Sequence, residues 1–133
     1  MGLKDQSIPS GISVPQSFID GPVDMGLIKD FITAAEDLGY QELWVQEKII
    51  GEISSLEPIN LLSYISAMTS TAELGVAVLI GSTRNPILLA KELATLDQMS
   101  NGRLILGYAL GGNPKNYRLM DGPDSKRVRH FIE

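Results

Sequence analysis

Cysteine is absent from the 133 residues, and histidine occurs once, at position 130. The first absence excludes a disulfide framework, a thiolate nucleophile and Cys-bound zinc. The second excludes a multi-histidine metal site within one chain and any histidine triad that does not use His130. Tryptophan also occurs once, and aromatic residues make up only 6%. Long apolar runs are missing. Val76 to Ile80 is the longest, far below the roughly 20 residues that cross a bilayer. Positive charge is scarce, with 11 Lys+Arg against 16 Asp+Glu and a net charge of −5. That balance argues against a protein whose task is neutralising nucleic-acid phosphates. Met1 to Ser7 has no apolar segment of the signal-peptide kind, and Gln6 stands where N-myristoylation needs Ser or Thr. A cytoplasmic chain with neither a nucleic-acid nor a membrane partner is expected.

What remains is an ordinary globular composition, 44% apolar and 20% charged, long enough for one domain with a core. Four β-rich runs stand out, at Ile12–Phe18, Glu42–Gln46, Leu74–Ile80 and Arg103–Ala109. Their starts lie 30, 32 and 29 residues apart, the spacing of a repeated βα unit. Helical patterns fill the gaps. The first follows Asp24 as N-cap and places Leu27, Phe31, Ala34, Ala35 and Leu38 on one face, up to Gly39. The second opens at Glu57-Pro58 and shows Ile59, Leu62, Ile65 and Met68 or Thr69. The third opens at Asn85-Pro86, carries Leu89, Leu93, Leu96 and Met99, and ends at Asn101-Gly102. A fourth begins near Lys126 and reaches the last residue, Glu133. Runs such as Val76–Ile80 are apolar on both faces, as in a parallel sheet covered by helices.

Pattern alone leaves two α/β architectures open. One is an open doubly wound sheet, the other the first half of a (β/α)8 barrel. A receiver-like sheet wants carboxylates at the ends of the first and third strands. Val14-Pro-Gln-Ser17 and Val78-Leu-Ile-Gly81 offer none. A dinucleotide fold wants G-x-G-x-x-G after its first strand, and Ser13–Phe18 contains no glycine. The half barrel is therefore favoured, with residues 1–133 as its N-terminal half, ending within the fourth βα unit. An eight-fold barrel typically needs about 250 residues.

Three segments add a resemblance. Ala94-Thr-Leu-Asp97 followed by Ser100-Asn-Gly-Arg103, an apolar strand ending at Gly107, and then Gly111-Gly112-Asn113 form one. Ala34 to Trp44 and Glu57 to Gly75 are the others. Together they resemble the luciferase-like family of flavin- and deazaflavin (F420)-dependent oxidoreductases. The resemblance implies a TIM-type barrel, F420 or FMN at its C-terminal mouth, and hydride transfer to or from a small-molecule substrate. A homodimer built on helices two and three is also implied. The alternatives are an FMN-dependent monooxygenase and a catalytically silent half barrel that associates through its unpaired strand edges.

The resemblance also assigns residues. Glu47 takes the acidic position after strand two, as proton donor or acceptor or to orient the ring. Lys48 replaces a frequent histidine there. Ala77–Val78 is placed at a bulge with a non-prolyl cis peptide behind the ring. Ser82 and Thr83 offer hydroxyl contacts, and Gly107 and Gly111 offer close backbone approach. Asn113 matches a cofactor-touching position. Leu110 stands where sugar-phosphate-oxidising members carry a glutamate, which disfavours that substrate. Residue types alone give plainer roles: a solvated Glu47–Lys48 loop, helix-capping hydroxyls, a Gly111-Gly112 turn and a surface His130. Asp97 lies in the last helical turn, where the dipole disfavours an anion. Arg103 or nearby backbone N–H groups are its expected partners.

Overall fold

The computed structural model describes residues 9–111 and 127–132. The elements, in chain order, are β1 (Gly11–Ser13), β2 (Ser17–Phe18), α1 (Met25–Asp37), β3 (Glu42–Val45), β4 (Ser54–Ser55) and α2 (Pro58–Met68). β5 (Glu73–Ile80), a 3-10 turn (Gly81–Thr83), α3 (Pro86–Met99), β6 (Leu104–Ala109) and α4 (Arg127–Ile132) follow. The main sheet has the order β1-β3-β5-β6, and all its pairs are parallel. Each crossover adds the next strand on the same side. A doubly wound sheet reverses its strand order at a switch point, and this sheet has no reversal. It is therefore the sequential, one-directional start of a (β/α)8 barrel.

The expected first strand, Ile12–Phe18, is in fact two. Val14 donates its N–H to the Trp44 carbonyl at 2.9 Å, but at the next position facing β3 the Gln16 carbonyl turns away to accept from Leu56 N at 3.1 Å. Gln16 takes over with its side chain. Its Nε2 donates to the carbonyls of Gln46 (2.6 Å) and Leu56 (2.7 Å), and its Oε1 accepts from Gln46 N at 2.8 Å. The chain leaves the main sheet there, and β2 pairs antiparallel with β4 in a separate ribbon.

Local signals set the helix ends. Asp24 accepts from Leu27 N at 2.9 Å, Glu57 from Asn60 N at 2.7 Å, and Asn85 from the N–H groups of Ile87 and Leu88. Gly39, Asn101 and Gly102 adopt positive φ of 83°, 57° and 77° at the far ends. The apolar face of α1 differs from the expected one. Ile28, Ile32 and Ala35 are buried, while Leu27 and Leu38 are 50% and 78% exposed. Helix α2 buries Ile59, Leu62, Ile65 and Thr69, with Leu61 added. On α3, Leu89 and Leu96 are buried and Leu93 packs beside them, whereas Met99 is 50% exposed. These stripes cover Leu43, Val45, Leu74, Val76 and Leu79 on one face of the sheet.

The opposite face is that of a barrel interior. Trp44 lies flat across it. A Cβ built on Gly75 would fall 2.3 Å from the Trp44 ring, and one on Gly11 would fall 2.6 Å from its Nε1. The indole N–H donates to Glu42 Oε2 at 2.8 Å.

Two charged residues join the layers at the amino ends of the strands. Arg103 is not the partner of Asp97, the first of the two expected for that carboxylate. Its guanidinium donates to the carbonyls of Ser100, Ala72, Ser66 and Thr69 and to the Thr69 hydroxyl, at 2.6–3.2 Å. The carbonyls at the ends of two helices outcompete a carboxylate on α3 because they already converge there. Glu36 on α1 caps the α2–β5 loop. Its Oε1 accepts from the N–H groups of Ser70 (2.8 Å), Thr71 (2.8 Å) and Ala72 (3.2 Å) and from the Thr71 hydroxyl (3.1 Å). Burial pushes this carboxyl up, but the N–H groups of Thr71, Ser70 and Ala72 and the Thr71 hydroxyl outweigh it, so its pKa is lowered. A lowered carboxylate pKa stabilises the fold above its unfolded value of about 4.5, and this stability is lost as pH falls through the folded value. Glu36→Gln is therefore expected to cost about 1 kcal/mol at neutral pH. In urea titrations its difference from wild type closes in acid; a difference independent of pH would refute the assignment.

Candidate active site

In barrels of this kind the chemistry sits on loops after the carboxyl ends of the strands. That end of this sheet holds Glu47, Lys48, the end of β5, the Gly81–Thr83 turn and the residues after β6. Two clefts open there. One, of about 230 Å³, is lined by Ser13, Gln16, Trp44, Gln46, Glu47 and Lys48, among others. The other, of about 300 Å³, shares Glu47 and Lys48 and adds Glu57, Thr83 and Arg84.

Glu47 is not a solvated loop residue, since its side chain is only 5% exposed. One carboxylate oxygen accepts from the backbone N–H of Ile80, the last residue of β5. The other accepts from Arg84 through Nε at 3.2 Å and through Nη2. Arg84 Nη2 also bonds Glu57 Oε1 at 2.7 Å. For Arg84, burial acts to lower the pKa, but hydrogen bonds and charges from Glu47 and Glu57 prevail and raise it. The guanidinium is thus held charged between two carboxylates. Lys48 is exposed beside it, and its stem folds over Gly51.

Strand β5 departs from regular pairing between Val76 and Leu79. The Ala77–Val78 peptide is cis, at the bond the resemblance singled out. Ala77 is exposed and Val78 is 42% exposed, in the middle of an otherwise buried strand. Gly107 packs against this bulge: a Cβ there would sit 2.6 Å from the Val76 carbonyl oxygen and 3.2 Å from Val78 Cγ1. Ser82 Oγ donates to the Leu110 carbonyl at 2.8 Å, and Thr83 Oγ1 to the Ile80 carbonyl at 2.9 Å. Gly111 has φ of 79°, where a side chain would be strained. The structure thus brings Ala77, Val78 and Gly107 into one group and Glu47 and Thr83 into another. Ser82 links the 3-10 turn to the residue before Gly111. Asn113 and Gly112 lie outside the described residues, as does the side chain of His130.

Arg84, Glu57 and Gln16 were not foreseen at the site. Glu57 was read only as a helix start. Arg84 did leave a signal, being the single charged residue between Glu73 and Lys91. Gln16 left none, because a glutamine beside a proline has no distinguishing pattern.

Comparison with known proteins agrees with this geometry. The alkanal monooxygenase alpha chain of Photorhabdus luminescens is 29% identical over 100 residues, 74% of this chain and 27% of that one. The F420-dependent glucose-6-phosphate dehydrogenase of Kineococcus radiotolerans is 33% identical over 91 residues, 65% of this chain and 27% of that one. The chain thus spans about a quarter of the length of these relatives. In three dimensions it resembles the FMN-bound oxygenating constituent of 3,6-diketocamphane monooxygenase from Pseudomonas putida. The TM-score is 0.75 at 16% identity, over 95% of this chain and 38% of that one. The profile described as luciferase-like monooxygenase matches residues 11–133, and the chain belongs to that family.

Proposed function

We propose that this chain supplies the first four βα units of a barrel oxidoreductase that moves a hydride between a small organic substrate and F420 or FMN. One observation carries the reading: β5 opens an apolar bulge, Ala77–Val78, and leaves it exposed in mid-strand instead of burying it. A flat tricyclic ring needs such a back wall. The residues present fit one, because Gly107 lets β6 close against the bulge where any Cβ would meet backbone. The relatives support the same pair of cofactors, one named as F420-dependent and one solved with FMN. When bound, the ring supplies the hydride chemistry.

The chain's own residues do the rest. Ala77 and Val78 back the ring. Gly107 and Gly111 allow close backbone approach. Ser82 and Thr83, already fixed by their bonds to backbone carbonyls, present hydroxyl oxygens to its polar edge, with Asn113 as a further contact by resemblance. Trp44, which lines one of the clefts, gives the substrate side an apolar wall. Leu110 brings no carboxylate to strand four, which disfavours a sugar phosphate as substrate. Monooxygenation with FMN is the second reading, favoured by the alkanal monooxygenase relative. We further propose a cytoplasmic homodimer.

Absorption titration of the full-length protein with F420 and with FMN tests this. A band shift with one and not the other assigns the cofactor. No shift with either refutes the oxidoreductase reading and leaves the silent half barrel.

A further inference from the structure

We propose that Arg84 is a positioning residue, and that Glu47 works as its anchored counterpart and not as a proton carrier. The pair locks the end of the bulged strand β5 to the loop after β3 and so fixes the wall against which the ring would lie. This rests on the cofactor reading above. Its physical basis is a three-point junction of residues distant in sequence: Arg84 reaches Glu47 across 37 residues and Glu57 across 27. Glu47 follows β3, Glu57 caps α2, and Arg84 follows the turn after β5. One guanidinium therefore joins three successive segments at the mouth.

The bonding pattern argues against proton transfer by Glu47. A carboxylate that accepts from a backbone N–H on one oxygen and from a guanidinium on the other is held as an acceptor. The donors at both oxygens are an amide and a guanidinium, neither of which gives up its proton at working pH. A general acid or base needs an oxygen open to the substrate. Glu47 borders the clefts, but its side chain is only 5% exposed and each oxygen already accepts a bond from a fixed donor.

The anchored amide sits close to the wall. Ile80 is two residues beyond Val78, about 7 Å along an extended strand. The register between β5 and β6 resumes at Leu79 and Ile80, after the irregularity that begins at Val76. The clamp thus holds the strand where regular pairing has just been lost. Fold stability alone is a poor explanation, since a buried ion pair often gains little over apolar residues of similar size. Such a group keeps a geometry fixed, and the geometry fixed here is that of the exposed bulge.

The test uses the full-length protein and the variants Arg84→Met, Arg84→Lys and Glu47→Gln, with F420 and FMN as probes. The amide of Ile80 is followed by hydrogen exchange without cofactor, and cofactor affinity by absorption. In Arg84→Met, exchange at Ile80 is expected to speed up, and cofactor affinity to fall, each about ten- to a hundredfold. Arg84→Lys, which keeps the charge without the fork, recovers part of both. It also serves if the methionine variant fails to fold. In Glu47→Gln, the pH profile of turnover keeps its limbs while its height falls.

Three outcomes overturn the proposal. Exchange at Ile80 unchanged in both Arg84 variants would remove the clamp. A lower melting temperature with unchanged cofactor affinity would make the cluster purely structural. Loss of one limb of the pH profile in Glu47→Gln would make Glu47 the proton carrier. If wild type binds neither cofactor, the function reading fails. The exchange result then still decides whether the clamp exists.

Discussion

Arg103→Met is expected to cost about 3–4 kcal/mol of folding stability. The side chain makes five hydrogen bonds, four of them to backbone carbonyls. Those carbonyls belong to Ser66 and Thr69 at the end of α2, to Ser100 at the end of α3 and to Ala72 just before β5. The guanidinium offers five donors in a fixed fork, and the two helix ends present partial negative charge to it. Methionine fills much of the same volume but donates nothing, so partly buried acceptors are left without partners. Arg103→Lys should lose about 2 kcal/mol, because one ammonium cannot reach so divergent a set. Urea unfolding of the two variants measures both, with the midpoint falling at constant slope. A loss below about 1 kcal/mol in the methionine variant would show that water replaces the guanidinium.

Gly75→Val is expected to dislodge the single tryptophan and to cost about 1–3 kcal/mol. A Cβ at position 75 would lie 2.3, 2.4 and 2.6 Å from Cε3, Cζ3 and Cδ2 of Trp44. The Nε1 edge of the ring lies where a Cβ of Gly11 would be, so glycines of two strands make its room. Valine at 75 therefore displaces the ring from the sheet and strains its 2.8 Å bond to Glu42. Trp44 is the only tryptophan of these 133 residues, and a shift of its emission reports the event. Adding Trp44→Leu to Gly75→Val should restore more than half of the lost stability, since the smaller side chain makes room for valine. Residues in contact are expected to be non-additive in this way. An unshifted emission spectrum in Gly75→Val would refute the stacked arrangement.

Much of the fold could be read from residues close together in the chain. The N-caps Asp24, Glu57 and Asn85 and the positive-φ stops at Gly39 and Gly102 are local signals, and the structure uses each of them. The buried stripe of α2 was legible too. The stripe of α1 was not. Leu27 and Ile28 are neighbours, and two apolar faces share Phe31 and Ala35. Only the direction of the sheet decides which is covered. The break after Val14 was not legible either, because it depends on Gln16 meeting carbonyls 30 and 40 residues away. At the site, the bulge region was pointed to by resemblance. Arg84 was marked only by its isolation among apolar residues.

By itself, then, the sequence determined the repeat of strand and helix, the parallel sheet implied by its two-sided apolar strands, and the family. These rest on periodicity and on short motifs, which act within a turn or a strand. Tertiary structure alone decided that Arg103 serves carbonyls instead of Asp97, that Trp44 covers Gly75, and that Glu47 faces Arg84 and the amide of Ile80. Each of those pairings, apart from Trp44 and Gly75, joins groups that compete with several chemically equivalent partners. The winner is set by which backbone groups the parallel ladder has already brought to the same place. That placement is a property of strand register and crossover direction, which no local stretch of residues encodes.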